Sequence, residues 1–501
     1  MLGSTHTGAV SGIRGQIIRV EVDSAPGFPG LFMVGLPDSA VRESESRIKA
    51  ALRNSAFDFS WDRRITVNLA PAHVRKTGSA FDLAIAVALL ASSGLTLTDA
   101  RGCLFLGELA LDGSLRAVPG VLPIIIEARA RGFTSAVVPR ANLREASLVT
   151  GIAVRGASCL LAAVGRADAQ SVDSAEDEVL ALESAALDLS DVAGQPVARR
   201  ALEVAAAGRH NLLMIGPPGS GKTMLARRLP GILPPPSEQD ALEMTAIRSA
   251  AGLSPRGLVQ ARPFRAPHHS ASAAALVGGG AVPRPGEISL AHGGVLFLDE
   301  LPEFSRATLE GLRQPLEEGR VIVSRARATF EFPSRFQLVA AMNPCPCGFR
   351  GDPVLPCRCT PLATLRYQGR ISGPLLDRID LVIDVPRPEI RIHARGDFGQ
   401  AAGESSACVR ERVAAAIAFA RGRGQSRDGF GLCDLDLETD AATALEGAAR
   451  LQGLSLRAVH RTARVARTIA DLSHSRTVAV QAVLEALLFR AGAALTSFEV
   501  P

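Results

Sequence analysis

The sequence predicts an α/β protein built as two α/β domains in tandem, closed by a helical domain. Three observations predict it. Residues 1–165 alternate short β-like runs with helical ones, and residues 192–390 do the same around a glycine-rich loop. Beyond about residue 409 the chain reads almost wholly as helix. At 501 residues it is too long for a single core. Hydrophobic residues at 47% and charged residues at 21% are ordinary for a soluble globular protein, and aromatics at 4% leave Leu, Val, Ile and Ala to build the cores.

In the first domain the β-like runs are "GQIIRVEVD", "GLFMVGL", "RITVNLA", "CLFLGELAL" and "SAVVPR", and the helical ones "SAVRESESRIKAALRN", "FDLAIAVALLASSG" and "LPIIIEARARG". Asp38 and Ser39 stand where an N-cap belongs. "LAIAVALLA" (83–91) is about half the length of a membrane span and reads as a buried helix. "MLGSTHTGAVSGIRGQ" has no basic-then-apolar signal architecture. Eight cysteines in so long a chain, four of them clustered, argue against a disulfide scaffold. No membrane association is expected, and a cytoplasmic protein is the default reading.

Residues 166–191 carry eight carboxylates against Arg166 alone, which predicts an exposed acidic linker. The second domain holds "LLMIGPPGSGKTMLARRL" (212–229). It matches G-x-x-x-x-G-K-[ST] as Gly216, Pro217, Pro218, Gly219, Ser220, Gly221, Lys222 and Thr223, between an apolar run and a helical pattern. Glycines let backbone N–H groups turn around the phosphates of ATP; Lys222 reaches the β- and γ-phosphates and the Thr223 hydroxyl ligates Mg²⁺. The net charge of +5 comes with only three lysines, Lys49, Lys76 and Lys222. A phosphate loop has room for an ammonium but not for a guanidinium fork. In "GGVLFLDE" (293–300) a buried strand ends on Asp299, a second Mg²⁺ ligand, with Glu300 placed to orient the attacking water. "FQLVAAMN" (336–343) presents Asn343 at the mouth of a parallel sheet. Arg378 lies between Asp377 and Asp380 and by itself reads as a surface ion pair.

"FRAPHHSASAAALVGGG", "PRPGEISLAHGGVLFLDELPEF", "LRQPLEEG", "AAMNPCPCG" and "ISGPLLDRIDL", in this order, resemble the magnesium-chelatase-like branch of the AAA+ ATPases and within it the ComM/YifB family, over nearly the whole chain. The resemblance implies that Asn343 is sensor 1, that Arg378 is an arginine finger reaching a neighbour's ATP, and that Arg457 in "LSLRAVHR" is the sensor 2 arginine of a helical lid. A finger acting in trans requires a ring, in such proteins usually a hexamer, and a lone monomer should be a poor ATPase.

"RKTGSAFDLAIAVALLAS" and "GELALDGSLRAVPGVLPIIIEARARGFTSAVVPRAN" resemble the Lon protease domain and the C-terminal domain of RadA, which implies a ribosomal-S5-domain-2-like α/β fold. Lon chemistry needs a Ser nucleophile with a Lys base. Their positions fall at Ala80 and Leu122, with Ser79 one residue off and Lys76 on the wrong segment, so a scaffold or binding domain is expected.

"CPCGFRGDPVLPCRC" sets Cys345, Cys347, Cys357 and Cys359 as C-x-C…C-x-C with nine residues between the pairs. Structural Zn²⁺ and four reduced thiols are equally good readings, the pairs being tighter than C-x₂-C. His268 and His269 either belong to the same region or, as adjacent histidines more often do, form loop hydrogen bonds, and they are left unassigned. "VGGGAVPRPGE" reads as a projecting loop. "GRVIVSRARATFEFP" reads as a hairpin whose Arg325 and Arg327 either touch DNA phosphates or form an exposed basic turn. On the lid helix Arg457, His460, Arg461, Arg464 and Arg467 share one face opposite Leu456, Val459, Ala463 and Ala466; it reads as solvated except for Arg457, whose place at the start of the helix suits a γ-phosphate contact. Residues 391–408 read as a connection opening the lid (391–501).

The function implied is an ATPase ring translocating on single-stranded or branched DNA, as a helicase or branch-migration factor integrating incoming DNA in natural transformation. A magnesium-chelatase-type motor subunit and a chaperone-like remodeller of protein partners stand as alternatives.

Overall fold

The computed structural model describes residues 2–72, 76, 78–94, 102–167, 187–253, 257–280, 283–325, 328–387, 403–423 and 435–490, with Ser39, Ala40, Arg325 and Ala328 described by backbone alone. In the N-terminal domain β1 (Leu2–Ser11), β2 (Arg14–Ala25), β3 (Gly30–Val34), β4 (Arg64–Ala70), β5 (Cys103–Phe105), β6 (Ser135–Pro139) and β7 (Ala153–Ala157) form one mixed sheet. Its order is β3-β4-β2-β1-β5-β6-β7. The antiparallel β2/β4 pair sets Val20 opposite Leu69 and Val22 opposite Val67, all fully buried, as a two-residue repeat over a core requires. Helix α1 (Ser39–Asn54) starts on the expected cap, the Asp38 carboxylate accepting the Val41 N–H at 2.8 Å.

β1 has no such repeat and went unread in the sequence. It is a central strand made of small residues because two helices press directly on it. A Cβ on Gly3 would lie 2.3 Å from the Ala88 carbonyl oxygen of α2 (Asp82–Ser92), and one on Gly8 would lie 2.2 Å from Ile124 Cγ2 of α3 (Val121–Ala130). Thr5 and Thr7 are fully buried, and the Thr5 hydroxyl donates to the Ala84 carbonyl at 2.9 Å.

Of the acidic linker, 168–186 lie outside the described residues. Its end is docked: Asp191 pairs with the buried Arg228 at 2.8 Å. The second domain runs through α4 (Pro196–Gly208), β8 (Leu212–Ile215), α5 (Lys222–Ile232), α6 (Glu238–Ala250), β9 (Phe264–Arg265), β10 (Val295–Leu298), the hairpin β11 (Arg320–Arg325) and β12 (Ala328–Pro333), β13 (Gln337–Met342), α7 (Pro361–Gln368) and β14 (Leu381–Asp384). Five of these strands form an all-parallel sheet in the order β9-β10-β13-β8-β14. β8, β10 and β13 are buried on both faces, which is why they read as unbroken apolar runs. One face, with Leu212, Met214, Phe297 and Val339, packs on α4 and the C-terminal helices; the other, with Leu213, Ile215, Leu296 and Leu338, packs on the loop-rich side.

The lid helices are α8 (Ser406–Gly422), α9 (Thr439–Leu451), α10 (Leu456–Leu472) and α11 (Val480–Leu488). The basic face of α10 is only partly solvated, with Arg457 and Arg464 exposed and the others turned inward. Arg461 pairs with Asp380 at 3.0 Å, and Arg467 is buried against Asp471 and the carbonyls of Ser475 and Arg476, while the apolar Leu456 is 71% exposed. Charged residues turn inward because that face meets the amino edge of the core sheet. The N-terminal domain docks through α3 and α6: Gly120 N–H donates to the Ser249 carbonyl at 3.0 Å, and the Ser249 hydroxyl donates to the buried Glu145.

His210, just ahead of β8, shares a 2.8 Å hydrogen bond with Thr468 of α10 and so joins core to lid. Burial, aided by Arg464 and Arg461 against Asp380, pushes its pKa from 6.5 down to about 4. The folded state therefore refuses a proton that the unfolded chain takes up. Stability should be complete above about pH 6.5 and fall by about 3 kcal/mol as pH drops toward 4. In urea titrations at pH 7.5 and 4.5, His210→Gln should lose about that much less on acidification; equal losses would remove His210 from the account.

Candidate functional site

The carboxyl edge of the parallel sheet gathers the polar ends of three buried strands. β8 runs into the loop Gly216–Gly221, where Gly219 and Gly221 hold φ of +77° and +93°. A Cβ on Gly216 would lie 2.1 Å from the Val385 carbonyl oxygen. Lys222 opens α5 and is buried; its ammonium donates to the carbonyls of Gly216 (2.7 Å) and Pro217 (2.9 Å) and to Asn343 Oδ1 (3.3 Å). Burial lowers its pKa below the usual lysine value, and Asp299 pulls the other way. The lysine and Asn343 predicted for the γ-phosphate thus meet across the β8/β13 ladder, in which Ile215 pairs with Met342.

The Thr223 hydroxyl donates to Asp299 Oδ2 at 2.7 Å. A hydroxyl and a carboxylate in contact beside a cradle of loop N–H groups form the hard oxygen set that suits Mg²⁺, and these are the two residues that would hold it. Glu300 follows with φ +52°, exposed, its carboxylate 3.2 Å from His269 Nδ1. The sequence reading missed His269. The signal was there: it follows β9, whose carboxyl end opens onto this same edge.

Arg378 and Arg457 lie elsewhere. Arg378 is 5% exposed, so it is not the surface ion pair its neighbours suggest, and its partner is Glu317 rather than Asp377 or Asp380. Arg457 Nη2 reaches the same Glu317 oxygen at 3.1 Å. Asn211, immediately before β8, donates to the Arg378 carbonyl at 2.9 Å, which fixes the pair at the amino edge of the sheet. A cavity of about 620 Å³ opens there, lined among others by Arg209, His210, Arg262, Glu317, Asp380 and Arg464. It is separate from the phosphate loop.

In the N-terminal domain Leu122 is buried in α3, the Ser79 hydroxyl donates to Glu108, and the Lys76 ammonium donates to the Pro71 carbonyl at 2.5 Å. No Ser–Lys pair forms among them. β11 and β12 pair as the expected hairpin, Arg325 opposite Ala328; Arg327 and the side chain of Arg325 lie outside the described residues. Gly278–Gly279 pairs with Arg284–Pro285, so the glycine loop is a short ladder.

Cys345, Cys347, Cys357 and Cys359 converge, all four Sγ atoms within 4.8 Å of one another. Sγ separations are 3.4 Å (345–347), 3.7 Å (345–357) and 3.6 Å (347–357). Burial pushes the Cys345 thiol up to about 12, whereas the backbone N–H groups of Phe349 and Arg358 draw Cys347 down to about 6.

By sequence, residues 20–142 match the family described as subunit ChlI of Mg-chelatase, residues 188–392 that of magnesium chelatase, subunit ChlI, and residues 403–490 its ChlI C-terminal family. The uncharacterized protein YifB of Escherichia coli is 46% identical over 503 residues, spanning 98% of this chain and 97% of that protein. Competence protein ComM of Haemophilus influenzae is 44% identical over 508 residues, with 98% and 97% covered. Lon protease 2 of Bacillus subtilis matches over 146 residues at 30%, which is 27% of this chain and 26% of the protease. No helix among the described residues is long and apolar enough to cross a membrane.

Two substitutions separate binding from hydrolysis at this edge. Lys222→Ala should weaken ATP binding at least about tenfold in a fluorescent-nucleotide titration, and unchanged affinity would refute the loop assignment. Glu300→Gln should keep ATP bound and lower turnover about a hundredfold.

Proposed function

The chain belongs to the YifB/ComM group of the magnesium chelatase ChlI family of AAA+ ATPases, and on that premise we propose that it works as a ring, a hexamer, that hydrolyses ATP to translocate on DNA. One observation carries the ring. Lys222, Thr223 and Asp299 sit at the carboxyl edge of the core sheet, whereas Arg378 and Arg457 sit together at its amino edge. β8, which separates the two edges, is four residues long, roughly 13 Å at strand rise. The two arginines therefore stand at least a strand's length from their own phosphate loop, which makes a neighbouring subunit's loop the natural recipient of their charge.

In this reading Lys222 holds the β- and γ-phosphates, and Thr223 and Asp299 hold Mg²⁺, which supplies charge neutralisation at the leaving phosphate when bound. Glu300 orients the attacking water once its carboxylate turns from His269. Asn343, already 3.3 Å from the Lys222 ammonium, steadies the γ-phosphate on the other side. Arg378, and Arg457 beside it, would leave Glu317 for the transition-state charge of the neighbour, a contribution of about three to five orders of magnitude in rate.

DNA as the track is supported by the β11/β12 hairpin ending at Arg325, by the resemblance of the whole chain, and by the name of the H. influenzae relative, a competence protein. Helicase or branch-migration activity during natural transformation follows as the role. The second reading, a chelatase-type motor driving a partner enzyme, is favoured by the three ChlI matches along the chain.

ATPase rates with and without single-stranded and branched DNA decide between them. Strong stimulation that fades between low and moderate salt is expected for a motor on a phosphate backbone; a rate indifferent to DNA favours the chelatase-type reading. Arg378→Ala should bind ATP normally and hydrolyse it at least about a thousandfold more slowly. Mixed with Glu300→Gln, it should recover part of the activity, because the mixture restores sites that have both an intact finger and an intact Glu300. Absence of recovery at every mixing ratio would argue against action in trans.

A further inference from the structure

The four cysteines lie close to the catalytic groups. Asn343 closes β13, Pro344 follows, and Cys345 is fully buried two residues on. The chain then turns back at Gly348, whose N–H donates to the Cys345 carbonyl at 2.9 Å. Gly348 holds φ +84°, and a Cβ built there would lie 2.6 Å from Pro218 Cδ and 3.8 Å from Asn343 Cγ. The cysteine segment is thus wedged between the phosphate loop and Asn343. Behind it, the Gln368 amide donates to the Pro344 carbonyl at 3.0 Å, and the Asn343 N–H reaches the buried Tyr367 hydroxyl.

The segment has little apolar core of its own: Val354 is 69% and Leu355 38% exposed. Besides the turn closed on Asp352, its internal contacts converge on the sulfurs. Four sulfurs at about 2.3 Å from a tetrahedral zinc ion lie about 3.8 Å apart, and the three Sγ separations of 3.4 to 3.7 Å already approach that figure. Backbone N–H groups point at the sulfurs as they do around thiolate: Cys347 N to Cys359 Sγ at 3.4 Å, and Cys359 N to Cys357 Sγ at 3.5 Å.

We propose that Cys345, Cys347, Cys357 and Cys359 hold one zinc ion, and that this zinc–thiolate knot positions Asn343 and the phosphate loop for hydrolysis. The four thiols ligate as thiolates and give their protons to solvent. The closed knot fixes the turn at Gly348, Gly348 braces Pro218, and the same few residues fix where the Asn343 amide stands relative to Lys222. The knot acts through Asn343 and Pro218. The metal assignment stands on the sulfurs alone. The positioning role rests on the ATPase reading given above.

The test uses the full chain. Zinc content by mass spectrometry should be one per chain, and cobalt loaded in its place should show the intense visible bands of a tetrahedral thiolate site. Cys357→Ser/Cys359→Ser should lose the metal and lower turnover about tenfold, with ATP affinity kept within about threefold, as expected when a catalytic group is displaced rather than removed. Gly348→Ala should keep the zinc and lower turnover comparably. Hydrogen exchange should accelerate at 216–223 and 343–349 in the cysteine variant, with the N-terminal domain unchanged as the control for folding. A chain without zinc, or a metal-free variant whose turnover and exchange match the parent, overturns the proposal. If the zinc-loaded parent itself hydrolyses no ATP, the motor reading fails. Metal content and exchange at 216–223 then still decide whether the knot braces the loop.

Discussion

Everything at the carboxyl edge depends on the parallel register of β8, β10 and β13. These strands are apolar on both faces, so the only polar side chains they can offer lie where they stop. The ladders set Ile215 beside Met342 and Leu298 beside Ala340, and the residues that follow, Gly216, Asp299 and Asn343, are thereby brought to one edge although more than 120 positions separate the first from the last. No single loop makes this constellation. A one-residue slip of β10 against β13 would move Asp299 away from Thr223 and turn Leu298 out of its core.

The same sheet holds two sets of charges apart at its opposite edges. Its carboxyl edge holds an ammonium, a carboxylate and glycine N–H groups; its amino edge holds two guanidinium groups on one glutamate. Glu317 holds both guanidinium groups through a single carboxylate oxygen. His269 plays the corresponding part on the other side, holding the Glu300 carboxylate while Glu300 sits in a left-handed backbone conformation that non-glycine residues seldom adopt. At both edges the charged side chains are satisfied by partners within the same chain.

The sequence disclosed what local patterning encodes and hid what packing decides. The phosphate loop and Asp299 were legible because each combines an apolar strand with residue types whose chemistry requires that place. β1 was hidden because its role selects for smallness: glycines and threonines beneath α2 and α3 look like a linker when read alone. The basic face of α10 was only half legible, for the opposite reason. Helical periodicity separates charged from apolar residues, but it cannot tell that the charged side meets Asp380 and an internal acid, Asp471, while Leu456 is left in water. Arg378 shows the same limit, since its near neighbours in sequence are carboxylates and its actual partner is 61 residues away.

The glycine contacts of β1 have a mechanical consequence. Where a helix rests on a strand through side chains, a compliant layer separates the two backbones and lets them slide by fractions of an ångström. At Gly3 that layer is absent, the Ala88 carbonyl standing where a Cβ would be, and at Gly8 it is thinned to the Ile124 side chain alone. β1, α2 and α3 consequently behave as a single stiff plate, because close-packed groups in direct contact transmit load without yielding. Load passing between the N-terminal domain and the ATPase core therefore crosses this plate whole and enters the core where α3 meets α6, through the Gly120–Ser249–Glu145 hydrogen bonds and the apolar seat of Ala246 beside them.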